Sequence, residues 1–78
     1  MAKYELIARW YHTGVESREL AGKPAGDPIR KIIDPSIDRK YDGASNIEDI
    51  RRVFLESITQ DPLHNIILRV DKISILKE

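Results

Sequence analysis

Apolar and polar side chains alternate most clearly towards the two ends of the chain. Successive side chains of a strand point to opposite faces. In Lys3-Tyr4-Glu5-Leu6-Ile7-Ala8-Arg9-Trp10-Tyr11 this puts Tyr4, Leu6, Ala8 and Trp10 on one face. Ile7 and Tyr11 fall on the other, among Lys3, Glu5 and Arg9. The pattern predicts a strand over 3–11 that is apolar on both faces. A second strand is predicted over 65–77, but its alternation changes phase. Ile66, Leu68 and Val70 share one face, while Ile67, Arg69 and Asp71 share the other. Unbroken alternation carries Ile73 and Ile75 to the Arg69 side. A bulge near Asp71-Lys72 restores the phase; without one, both faces of this strand are apolar too.

Between these strands the periodicity becomes helical. Ile47, Ile50, Val53, Phe54 and Ile58 recur as a single stripe, predicting a helix over about 46–59. Ser45 and Glu48 have the spacing of a capping box, and Glu48 and Asp49 complement the positive end of the helix dipole. Glu48 and Arg52 form a favourable pair one turn apart. Gln60-Asp61-Pro62 ends the helix.

Residues 21–28 hold two glycines and two prolines and read as a loop. Before it, Thr13 and Glu16 have capping-box spacing for a short helical turn over 14–21. After it, Pro35 leaves Ile29–Ile33 too short for a helix, so a short edge strand is expected at 29–33. Asp34-Pro35-Ser36 is a turn, and 37–41 is expected to return as another short strand. The fold class is therefore α+β: a small antiparallel or mixed sheet with one main helix on one face, in a single domain over 1–78. The helix can shield Leu6, Ala8, Trp10, Ile66, Leu68 and Val70. Ile7, Tyr11, Ile67, Ile73 and Ile75 then need another cover, either a partner or the 13–41 segment folded back.

Size sharpens that need. A chain of 78 residues is marginal as a lone globule. It has no cysteine, so disulfides and thiolate metal sites are excluded and oligomerisation is the remaining aid. No apolar run approaches the roughly 18 residues of a membrane span, and a cytoplasmic location is expected. Thirteen basic residues balance thirteen acidic ones, interspersed along the chain. No bulk positive charge recruits nucleic acid or anionic lipid, although a basic patch assembled by folding is compatible with the count.

Candidate chemistry is sparse. His12 and His64 are the only histidines and lack ligand spacing, so both read as solvent-facing turn residues. Gly22-Lys23-Pro24-Ala25-Gly26 lacks the spacing and Lys-Ser/Thr pair of a phosphate loop. Asp34, Asp38 and Asp42 do not match a calcium-binding loop and read as turn residues. The serines have no nucleophile-elbow context. The chain is thus expected to be non-enzymatic, with no cofactor or metal. The expected function is a macromolecule-binding module, a regulator, inhibitor or assembly factor, forming a homodimer and engaging another protein. Its binding surface centres on Ile7, Tyr11, Ile67 and Ile73, oriented by Arg9 and Arg69. The alternative is a nucleic-acid-binding domain using the same face, on which Lys3, Arg9 and Arg69 meet phosphates and Tyr11 stacks bases.

Overall fold

Three strands and one helix carry the structure, a computed structural model describing residues 3–58 and 65–76. Strand β1 spans Lys3–His12, β2 Ile29–Ile33 and β3 Ile66–Leu76, while helix α1 spans Ile47–Glu56. The sheet is antiparallel throughout, in the order β2-β1-β3. The strand with the strongest two-faced apolar pattern is therefore the central one, hydrogen-bonded on both sides. Before β2 the chain already runs along the same edge of β1. His12 donates its N–H to the Lys23 carbonyl, and Ala25 donates to the Trp10 carbonyl, with Tyr11 bridged to Pro24.

The core lies between the sheet and α1. Tyr4, Leu6 and Ala8 from β1, Ile33 from β2 and Leu68 from β3 are buried against Ile50 and Phe54 of α1. Ile47, Val53 and Leu55 of the helix and Ile58 just past its end, with Trp10, Val70 and Ile73 of the sheet, pack round them. Both strand predictions and the helical stripe are thus found in place. Lys31 also lies on the helix side, opposite Leu6, with its ammonium 5.9 Å from the centre of the Phe54 ring. A lysine at a sheet edge can keep its stem on apolar surface and its head in water.

The phase break of β3 is resolved by a bulge. Ile7 pairs with Lys72 and Ala8 with Val70, leaving Asp71 as the extra residue. Past it, Ile73 lies opposite Leu6 and Ile75 opposite Tyr4. This corrects the placement of Ile73 and Ile75 on the Arg69 side. The bulge returns them to the helix side, where Ile73 packs on the core. Ile73 therefore leaves the candidate binding surface.

Local chemistry accounts for the other departures. Residues 37–41 are not a strand: Arg39–Tyr41 form a 3-10 turn. The Asp38 carboxylate accepts from the Lys40 N–H and competes with extended pairing. That turn drives Tyr41 into the core, where it is fully buried. Only Arg18–Leu20 of the 14–21 segment is helical, again as a 3-10 turn. Thr13 and Glu16 do not cap it. The Thr13 hydroxyl donates to the Asn65 carbonyl at 3.1 Å, and Glu16 accepts from Asn65 Nδ2 at 3.0 Å. Gly14 takes φ +94° in this loop, and a Cβ there would sit 2.9 Å from that of Ala21. The α1 cap is Asn46, not Ser45, with Asn46 Oδ1 accepting from the Asp49 N–H at 3.0 Å. Glu48 pairs with Arg51 at 3.3 Å and not with Arg52, which reaches Asp49 at 3.6 Å. Helix α1 also ends earlier than expected, at Glu56 with Ser57 as its C-cap, before the predicted stop at Gln60-Asp61-Pro62, which itself lies outside the described residues.

Candidate macromolecule-binding face

The side of the sheet away from α1 is built by parity and register. β1 contributes Lys3, Glu5, Ile7, Arg9 and Tyr11; β2 contributes Arg30 and Ile32; β3 contributes Ile67, Arg69, Lys72, Ser74 and Leu76. Asp71, the bulge residue, joins them, because the Tyr11 hydroxyl donates to its Oδ1 at 2.6 Å. None of these residues is buried. Ile32 is 45% exposed and Ile67 40%, both high for isoleucine in a sheet. The 13–41 segment does not fold back over them. Its strand extends the sheet sideways, and its Tyr41 seals the helix side.

The arrangement runs in rows across the strands. Arg30, Ile7 and Lys72 form one row, Arg9 and Arg69 the next, and Tyr11 and Ile67 the last. Five cations, Lys3, Arg9, Arg30, Arg69 and Lys72, stand on this face with two carboxylates, Glu5 and Asp71. Folding has therefore sorted a chain of zero net charge into one with a basic sheet face.

Both carboxylates are engaged. Glu5 accepts from Arg30 Nε at 2.6 Å, and Asp71 accepts from Tyr11. That hydrogen bond is the main cause holding the Tyr11 phenol above its ordinary pKa, aided by desolvation and opposed by Arg9 and Arg69. The Arg69 guanidinium also lies 5.9 Å from the Tyr11 ring centre, a cation–π distance. Arg9 and Arg69 face each other directly across β1 and β3. Like charges so placed oppose pairing. Among the described residues neither they nor Lys72 has a carboxylate partner. Arg9 Nε is enclosed without an acceptor.

The structure thus brings together Ile7, Arg9, Tyr11, Ile67 and Arg69 of the expected surface. It removes Ile73 and adds Arg30, Ile32 and Lys72. The parity of β2 carries a signal for the first two, since Arg30 and Ile32 alternate with Ile29, Lys31 and Ile33. Lys72 was concealed by the bulge, which puts two consecutive residues on one face.

Other candidate chemistry resolves into structure. Asp34 accepts from the Ser36 N–H and hydroxyl, and Asp38 caps a turn, as turn residues should. His12 pairs through its backbone with the 22–23 loop, and His64 lies outside the described residues. No group of three or more His, Asp or Glu able to hold a metal occurs among the described residues. No helix among them is long and apolar enough to cross a membrane. A shallow cavity of about 440 Å³ opens beside the start of α1, lined by Tyr4, Ser45, Asn46, Ile47, Glu48 and Ile75. Its Ser45 donates its N–H and hydroxyl to Asp49, leaving mostly apolar walls.

No family model, curated protein or solved structure matches the chain.

Proposed function

We propose that the chain is a non-enzymatic macromolecule-binding module whose working surface is the open sheet face, and that its partner presents negative charge. One observation carries this reading: the chain as a whole is neutral, yet Arg9, Arg69 and Lys72 are gathered on one uncovered face with no carboxylate partner among the described residues. Keeping like charges adjacent weakens the β1–β3 pairing, and an anionic partner removes that penalty on docking. Ile7, Tyr11 and Ile67 add apolar contact between the cations.

Heparin-agarose chromatography tests the reading, because a neutral protein has no bulk attraction to a polyanion. The wild type is expected to be retained at low salt near pH 7. An Arg69→Ser/Lys72→Ser variant, with an unchanged far-ultraviolet circular dichroism spectrum, is expected to elute substantially earlier. Passage of the wild type without retention overturns the reading.

A second reading, a homodimer through the same face, is favoured by the exposure of Ile32 and Ile67. A face-to-face pair buries the arginines of one copy near those of the other, which is unfavourable without an intervening anion. Sedimentation of the wild type against Ile7→Lys/Tyr11→Lys separates the two. A concentration-dependent dimer abolished in that variant supports self-association.

A further inference from the structure

We infer that the occupant of the open face is a single-stranded nucleic acid, an identification that rests on the polyanion reading above. The layout of the face distinguishes this partner from an acidic protein. A protein interface concentrates apolar side chains at its centre and places charge on a polar rim. Here the order is mixed. Ile7, in the middle of the sheet, lies between Arg30 and Lys72, and the next row is the Arg9–Arg69 pair. A partner that presents charge at short, regular intervals, with flat apolar bodies between, fits such an alternation. An unpaired polynucleotide has that form: phosphates to meet the cations and bases to lie on the apolar side chains.

Three further features agree. The cations available to phosphate belong to two adjacent strands, Arg9 on β1 with Arg69 and Lys72 on β3, so they form a band and not an isolated point. Next to that band Tyr11 offers a ring whose hydroxyl is tied to Asp71, fixing the ring at the end of the row. Arg69, near one side of that ring, can pair with phosphate while supporting a stacked base. Finally, the face is an open sheet surface on a body of 44 × 21 × 16 Å, accessible to a strand with splayed bases.

The experiment is fluorescence anisotropy of the full chain with fluorescein-labelled oligothymidylate of about 20 nucleotides, which has no duplex structure to read. Binding is expected, with a plot of log affinity against log salt sloping at about −2 for three phosphate contacts. Arg69→Ser and Lys72→Ser are each expected to weaken binding about eightfold near 50 mM salt, as about 0.7 counterions are released per contact. Arg69→Lys is expected to restore most of the loss. Tyr11→Ala is expected to weaken binding about tenfold by removing a stacking surface, whereas Tyr11→Phe keeps it. Retention on heparin without oligothymidylate binding overturns the inference and leaves the polyanion reading standing. Failure to bind either overturns both. Binding unaffected by Arg69→Ser, Lys72→Ser and Tyr11→Ala alike overturns the assignment to this face.

Discussion

Tyr41 occupies the least expected position for a single side chain. It follows Arg39-Lys40 in a polar stretch, yet no part of it is exposed and its hydroxyl has no hydrogen-bond partner in the structure. Burial, and secondarily the nearby Asp38 carboxylate, pushes its phenol above the ordinary pKa. An unsatisfied buried hydroxyl costs about 1–3 kcal/mol, while the ring supplies the packing. Tyr41→Phe is therefore expected to raise stability by about 1 kcal/mol, read as a higher urea midpoint with an unchanged slope. A comparable loss of stability would mean that the hydroxyl has a partner. Nothing in the local sequence announces this burial, because the turn that aims Tyr41 inward is held by backbone bonds from Tyr41 to Asp38 and from Asp42 to Arg39, with the Asp38 carboxylate accepting from the Lys40 N–H.

At the level of elements, the bulge in β3 decides which isoleucines hold the protein together. Ile73 packs on the core and Ile67 stands 40% exposed on the opposite face. Ile73→Ala is expected to lower stability by about 2 kcal/mol, at the low end for a core isoleucine because the site is only half-buried. Ile67→Ala is expected to change it by less than about 0.5 kcal/mol. Equal effects in denaturant unfolding would refute the bulged register. Much at this scale was legible in the sequence. β1, β2, β3 and α1 each have a local period or a flanking breaker, and the phase conflict around Asp71-Lys72 marks the bulge. The face joined by Ile73 was not legible, since register belongs to the pairing with β1 and not to β3 alone. The α1 cap moved by one residue for a similar reason: Ser45 and Asn46 are both competent caps, and packing selects between them.

For the whole molecule, the charge pattern governs both binding and acid stability. The candidate face was legible in its β1 and β3 residues. Its basic character was not, because composition reports only the sum and the sum is zero. Acid stability follows from carboxylates held by the fold. The Ser45 N–H, then the Ser45 hydroxyl and Arg52, hold Asp49 below the ordinary carboxylate value. Asp34 is lowered by the Ser36 hydroxyl and N–H. A carboxyl whose pKa is lower folded than unfolded stabilises the native state above the unfolded value. That contribution is lost as pH falls below about 4 through the folded value. Thermal unfolding is thus expected to show a falling midpoint below about pH 4, with a smaller fall in Asp49→Asn than in the wild type. An identical acid response in the variant would refute the role of Asp49.

The antiparallel pairing of β1 with β3 also sets the kinetics of self-assembly. Tyr11 and Asp71 meet across the sheet although 60 positions separate them in sequence. The middle strand is synthesised well before its longer neighbour, which follows only after β2 and α1. Completion of the sheet therefore waits on one large loop closure, whose entropy must be met before the distant contacts give any return. Refolding is consequently expected to be slower than that of a helical bundle of the same length. Until it finishes, the nascent middle strand has an unpaired edge, the kind of surface that chaperones shield and aggregation exploits.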